Sequence, residues 1–278
     1  MATEVFAPAK VNLALHVTGQ RADGYHLLDS LVVFADIADR VTVAASDRLT
    51  LEITGPEASS IAADDDNLVL QAARFFDPAC TARITLEKNL PVASGIGGGS
   101  ADAAATIKAL ARLYGAPLPQ PYETASLGAD VPACMMGRPL RLQGIGDVLS
   151  EIPALPALDI LLVNSRVSLA TPQVFAALAS RRNSPLDRDL PQWDNPHDFC
   201  DWLAGTRNDL LEPAIELDPQ IGIALELIRE TDCLFAGMSG SGGTCFGLYP
   251  PNRGQAKAAQ SYVQAKQSGW WCQSGKIS

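Results

Sequence analysis

The stretch Pro91-Val-Ala-Ser-Gly-Ile-Gly-Gly-Gly-Ser-Ala-Asp-Ala-Ala-Ala105 constrains this chain more than any other. Gly95, Gly97, Gly98 and Gly99 free the backbone for positive φ angles, so several N–H groups can converge on one anion. Ser100 stands at the expected N-cap. Beyond it, Ala101 to Tyr114 has the alanine content of a helix, with Ala103, Ile107, Leu110, Ala111 and Tyr114 at helical spacing. The helix N-terminus then points at whatever the glycines hold, and a phosphate suits that geometry. The loop is not a Walker A motif, because Gly99 is followed by Ser100 and Ala101 with no lysine. Nor is it a dinucleotide fingerprint, because Ser100 stands where the third glycine belongs. A flexible linker would not be flanked by Leu90-Pro91 on one side and a strong helix former on the other.

With 278 residues, 47% of them hydrophobic, the chain has material for one large domain or two ordinary ones. No apolar run is long enough to cross a bilayer and the Met-Ala-Thr-Glu start lacks a signal pattern, so no membrane partner and a cytoplasmic location are expected. A formal charge of -10 argues against a nucleic-acid partner, which needs a basic face. The six cysteines, Cys80, Cys134, Cys200, Cys233, Cys245 and Cys272, are scattered without ligand spacing and read as small core residues in a reducing compartment. Lysine is scarce, with six in all, so one set in an apolar strand needs an explanation.

That strand is Val5 to Val17, where strict alternation puts Lys10 and Asn12 on one face. Pro8 marks an edge or a break between two short strands. By spacing alone Lys10 belongs on the wet side of an amphipathic strand. Short strands follow around Leu31–Phe34, Val41–Val43 and Leu49–Thr54. Asp64-Asp-Asp-Asn67 reads as the cap of a helix to Phe76, with Leu68, Ala72 and Phe75 inward, in preference to a metal cluster. Asp130, between Gly128 and Pro132, reads on composition as an ordinary turn aspartate. Met135, Met136 and Leu140 to Leu142 form a strand-like return, and Pro153 to Pro156 is a seam. A buried strand at Leu158–Val163 and a helix from Thr171-Pro172 carrying Val174, Phe175 and Leu178 come next. Ser184 to Pro196 reads as a surface loop. Gly237-Met-Ser-Gly-Ser-Gly-Gly243 is either a hairpin turn or a second backbone approach to a ligand, and the residues leave both open.

Taken in order, Pro8-Ala-Lys-Val-Asn-Leu13, the Pro91–Ala101 loop and Gly237–Gly243 resemble the three motifs of the GHMP kinases, the family of galactokinase, homoserine kinase and the mevalonate kinases. The resemblance covers nearly the whole chain through Asp23-Gly-Tyr-His26, Asp66-Asn-Leu68, Leu127-Gly-Ala-Asp-Val-Pro132, Gly144-Ile-Gly146 and Asn208-Asp-Leu210. It implies a two-domain α/β (α+β) GHMP kinase fold. A ribosomal-protein-S5-like, ATP-binding domain would span residues 1–153 and a ferredoxin-like domain residues 154–278, with the active site in the cleft.

The resemblance also implies roles. Asp130 matches the catalytic base, and Lys10 its partner, which helps neutralise the transferring group. Pro91, Gly95, Ile96, Gly97, Gly98, Gly99, Ser100 and Ala101 match the ATP-phosphate loop, with Asn67 and Lys88 near the adenine. Mg2+ is the implied metal, and Ser100 is its one candidate contact. Asn12, Tyr25, His26 and Phe175 match the pocket for the second substrate, Tyr25 stacking on a base and His26 bonding its edge. Gly24-Tyr25-His26 resembles the member of this family that phosphorylates a cytidine-diphosphate sugar alcohol in the non-mevalonate isoprenoid route. Two other readings remain: another small-alcohol kinase of the homoserine or mevalonate type, and a nucleotide-binding sensor without chemistry. The chain departs from the pattern at Val32, where some members carry an aromatic residue, and over Ser180 to Trp202.

Overall fold

The computed structural model describes residues 2–277, which group into two compact units interleaved along the chain. The first holds the chain up to Lys10, Ala38–Val92 and Gly97–Arg138; the second holds Val11–Ile37, Ala93–Ile96 and everything from Pro139 onward. Two long paired strands, β1 (Ala2–Gln20) and β2 (His26–Ala45), run from one unit into the other. Pro8 does not break β1, and Leu31–Phe34 and Val41–Val43 are parts of β2 rather than separate strands. Every residue from Ala9 to Val17 is buried, so the amphipathic reading of Lys10 fails: both faces of the strand are covered there.

In the first unit, β3 (Thr50–Thr54), α1 (Leu68–Phe76), β4 (Ala82–Glu87), α2 (Gly98–Tyr114) and α3 (Val131–Met136) follow. β4 lies parallel to β3 and antiparallel to Arg40–Ala45 of β2. Asn67 caps α1, but the buried stripe is Val69, Leu70, Ala72 and Ala73, displaced from the expected Leu68 and Phe75. The small side chains of α2, among them Ala101, Ala104, Ala105 and Ala109, are buried around Ile107 and Leu110, which lets α1 and α3 pack closely against it. Gly115 ends α2 with φ 63° and an N–H donated to the Ala111 carbonyl. Met135 and Met136 belong to α3 and not to a strand, because Pro132 starts a helical turn that Gly137 closes at φ 61°.

In the second unit, β5 (Leu140–Gly144) pairs with Leu28–Val32 of β2, and β6 (Val148–Ser150) with β5. Then come β7 (Asp159–Asn164), α4 (Thr171–Ala176), α5 (Pro196–Ala204), α6 (Leu211–Leu217), α7 (Gln220–Arg229), β8 (Phe235–Met238), β9 (Thr244–Tyr249), α8 (Gln255–Lys266) and β10 (Trp271–Lys276). An antiparallel sheet in the order β10-β7-β9-β8 packs against these helices through Leu161, Val163, Ile221, Leu225, Ile228, Tyr249 and Val263. The segment 183–195 is irregular, as expected, but it is anchored. Asp29 and Arg141 form a buried bidentate pair at 2.8 and 2.7 Å, and Arg141 also donates to the carbonyls of Leu186, Asp187 and Arg188.

Candidate active site

The glycine loop does what its composition demands, with a shifted boundary. Gly95 and Gly97 take φ 75° and 64°, and a Cβ on Gly95 would lie 2.5 Å from the Ser239 carbonyl oxygen and 2.6 Å from that of Gly242. Glycine is therefore the only residue that fits there. Gly97, not Ser100, is the N-cap of α2; the Ala101 N–H donates to the Gly97 carbonyl at 2.8 Å, and Ser100 is the third residue of the helix. The side chain of Ser100 is thereby released from capping and stands in the first turn, its Oγ 3.9 Å from the Cβ position of Gly128.

Lys10 runs beneath this turn, its Cβ and Cε 3.2 and 3.4 Å from the Cβ position of Gly97. Its Nζ meets Asp130 Oδ2 at 2.9 Å, with the lysine side chain 5% exposed and the aspartate 38%. Asp130 precedes α3, so the pair joins the end of the first unit's part of β1 to the turn before a helix. Burial, with Asp130 second, pushes the neighbouring Cys134 thiol up to about 12, which removes it as a nucleophile.

The Lys88 side chain is engaged within the protein. Its ammonium is bound to Asp39 at 2.5 Å and Asp102 at 2.7 Å, and all three side chains are sealed from solvent. Burial works against its charge, yet the two carboxylates hold it above the usual lysine range. Burial, with Asp39 adding, pushes the Asp102 carboxyl up against the pull of Lys88. Asn67 spends its side chain on the α1 cap, accepting from Val69 N and donating to the Ala62 carbonyl.

In the second unit, the His26 ring stacks on Phe175 with centroids 4.6 Å apart and planes at 30°, while Tyr25 is exposed. Burial, then the Arg181 charge, lowers the His26 pKa. Asn12 donates from Nδ2 to Ser30 Oγ and from its backbone N–H to Ser239 Oγ, which in turn donates to the Gly95 carbonyl at 2.8 Å. Asn12 Oδ1 and His26 Nε2 are buried with no hydrogen-bond partner among the described residues. The second glycine run is the turn of the β8–β9 hairpin, and it packs against Gly95 and Ser94 of the first stretch. Asn208 fixes that turn by donating to the Met238 and Gly240 carbonyls.

Family models confirm the family that the motifs imply: the GHMP kinase N-terminal domain matches residues 67–149 and the GHMP kinase C-terminal domain residues 194–268. A 4-diphosphocytidyl-2-C-methyl-D-erythritol kinase of Ruegeria pomeroyi is 57% identical over the whole of both chains, and one of Cereibacter sphaeroides 53% over 99% of each. The chain belongs to the 4-diphosphocytidyl-2-C-methyl-D-erythritol kinases of the GHMP kinase family. A crystal structure of a 4-(cytidine 5'-diphospho)-2C-methyl-D-erythritol kinase matches with a TM-score of 0.79 at 32% identity, covering 99% of this chain and 98% of that one. A homoserine kinase from Cytophaga hutchinsonii shares the fold, with a TM-score of 0.67 at 17% identity, over 100% of this chain and 94% of that one.

For this GHMP kinase, sequence reasoning missed Asp39, Asp102, Ser239, Asn208 and the Asp29–Arg141 pair. Ser239, Asn208 and Asp102 carried a signal, as members of quoted stretches; the others act through partners remote in sequence. Among the described residues no helix is long and apolar enough to cross a membrane. Among the described residues no group of three or more His, Cys, Asp and Glu side chains is arranged to hold a metal ion.

Proposed function

We propose that this GHMP kinase transfers the γ-phosphoryl group of ATP to the 2-hydroxyl of 4-(cytidine 5'-diphospho)-2-C-methyl-D-erythritol, with Asp130 taking the hydroxyl proton, as a step of the non-mevalonate isoprenoid route. One observation carries the assignment of roles: the Lys10–Asp130 pair, closed on the lysine side and open on the aspartate side, next to the first turn of α2. Phosphoryl transfer is catalysed mainly by positioning and electrostatic stabilisation. The N–H groups at the start of α2 bind phosphate oxygens, which the helix dipole favours. Lys10 fixes the Asp130 carboxylate through a charge-assisted bond and offers positive charge to the transferring oxygens. Asp130 accepts the proton as the hydroxyl attacks.

ATP is the phosphoryl donor of GHMP kinases, and magnesium is its companion in this reading. The residues fit a magnesium ion that arrives on the phosphates, since the freed Ser100 hydroxyl is the donor in the first turn of α2. Bound there, the ion would neutralise phosphate charge. Asn12 and His26 bind the cytidyl substrate, and their unpartnered Oδ1 and Nε2 supply an acceptor and a ring nitrogen for it. The Tyr25 ring is free to stack on the base, and Phe175 backs His26.

The test is ADP release by the purified protein with MgATP and the cytidyl substrate, run beside homoserine and mevalonate, with the product identified by phosphorus NMR. Turnover confined to the cytidyl substrate, giving its 2-phosphate, is the expected result. Turnover with homoserine or mevalonate instead contradicts it.

A further inference from the structure

The site that the mechanism leaves unused is the sealed cluster of Lys88, Asp39 and Asp102. Each member comes from a different element of the first unit: Asp39 from β2, Lys88 from the turn after β4, and Asp102 from the second turn of α2. Asp39 Oδ1 accepts from the backbone N–H groups of Asn89 and Leu90 at 2.6 and 2.8 Å, so the same carboxylate that holds the ammonium also shapes the chain entering the glycine loop. A Cβ on Gly98, the first residue of α2, would lie 3.1 Å from Lys88 Nζ and 3.8 Å from Asp39 Oδ2. The cluster therefore lies directly under the first turn of α2, to which the proposed function assigns the phosphates. Asp102 Oδ1 is buried with no hydrogen-bond partner among the described residues, so its one ionic tie is to Lys88.

We propose that Lys88 is a positioning residue for nucleotide binding: it ties the entry of the glycine loop to α2 and neutralises the carboxylate that α2 carries beneath the phosphate-binding turn. It does so without touching the nucleotide. A buried ion pair adds little net stability over an apolar replacement, but removing one partner strands the other. Here the stranded groups are two sealed carboxyls under an anion site, one of which burial already pushes up, so they must share a proton or repel the anion, and either change disturbs the turn that binds nucleotide. Three facts converge on this: the burial of all three side chains, the 3.1 Å approach to Gly98, and the double use of Asp39.

The inference rests on α2 being the nucleotide-phosphate site, and calorimetric titration with MgATP tests it without the second substrate. In Lys88→Met the MgATP Kd should rise tenfold or more, on the order expected for a stranded buried charge. At saturating MgATP, kcat and the KM for the cytidyl substrate should stay within about threefold. In Lys88→Met/Asp102→Asn, which removes the carboxylate on α2, Kd should fall back at least about threefold from the single variant. It should remain about threefold weaker than wild type, because the tie is still absent. A single variant that binds MgATP as wild type does, or a double variant no tighter than the single, overturns the proposal. If Lys88→Met does not fold, the double variant decides alone: weaker binding than wild type supports the tie and equal binding overturns it. Failure of wild type to turn over the cytidyl substrate would instead contradict the proposed function, with the nucleotide result still readable.

Discussion

Two lysines of the first unit each meet aspartate, and their surroundings divide chemistry from scaffolding. Lys10 faces an Asp130 side chain that is 38% exposed; Lys88 lies between Asp39 and Asp102 side chains that are 0% and 4% exposed. The pairs use the same functional groups at similar distances. What differs is access. A carboxylate that accepts a substrate proton must be reached by the substrate, whereas one that holds a loop works best where nothing competes for the ammonium. The half-open pair contributes little to stability, and the sealed cluster is expensive to break.

The comparison breaks most visibly at Lys10. Lys10→Met removes the partner of Asp130 and a charge next to the transferring oxygens, and kcat should fall about 10²- to 10³-fold with the urea midpoint little moved. Lys88→Met should invert that pattern. Its cost should fall on folding, about 3–5 kcal/mol by urea denaturation, together with the loss of MgATP affinity described above. Were Lys10→Met to unfold the protein, or Lys88→Met to abolish kcat with stability intact, the division of roles would be reversed.

Part of this division was legible in the sequence and part was not. Lys10 and Asn12 share a face by period two, and the glycines announce a backbone turn before a helix; both are local properties. The helix cap was misplaced at Ser100 because side-chain capping is the commoner device, while here Gly97 caps with a left-handed backbone. The burial of Lys88 could not be read, because Asp39 and Asp102 lie 49 and 14 residues away and are brought in by β2 and α2. Asp29 and Arg141, 112 residues apart, anchor Leu186 in the same non-local way, so Ser184–Pro196 looked looser than it is. The packing of the second glycine run against Gly95 through Ser239 was likewise illegible, because the two stretches lie far apart in the chain.

Smaller effects sharpen the contrast outside the two clusters. Ser239→Ala leaves the Gly95 carbonyl and the Asn12 N–H without their buried partner and should cost about 1–3 kcal/mol in thermal or urea unfolding. At His26, burial and the Arg181 charge keep the ring neutral at neutral pH. The KM for the cytidyl substrate should therefore be flat above pH 7 and change only as pH falls through the lowered His26 pKa. In Arg181→Gln one of the two lowering causes is gone, and that change should begin at a higher pH.

The most direct measurement is made on Asp130→Asn: rapid-quench single turnover with saturating MgATP and cytidyl substrate, and MgATP titration of the same preparation. The chemical step should slow by about 10² to 10⁴, with MgATP affinity within about twofold of wild type. An unchanged chemical step, or a loss confined to nucleotide affinity, would contradict the assignment of the open pair to chemistry.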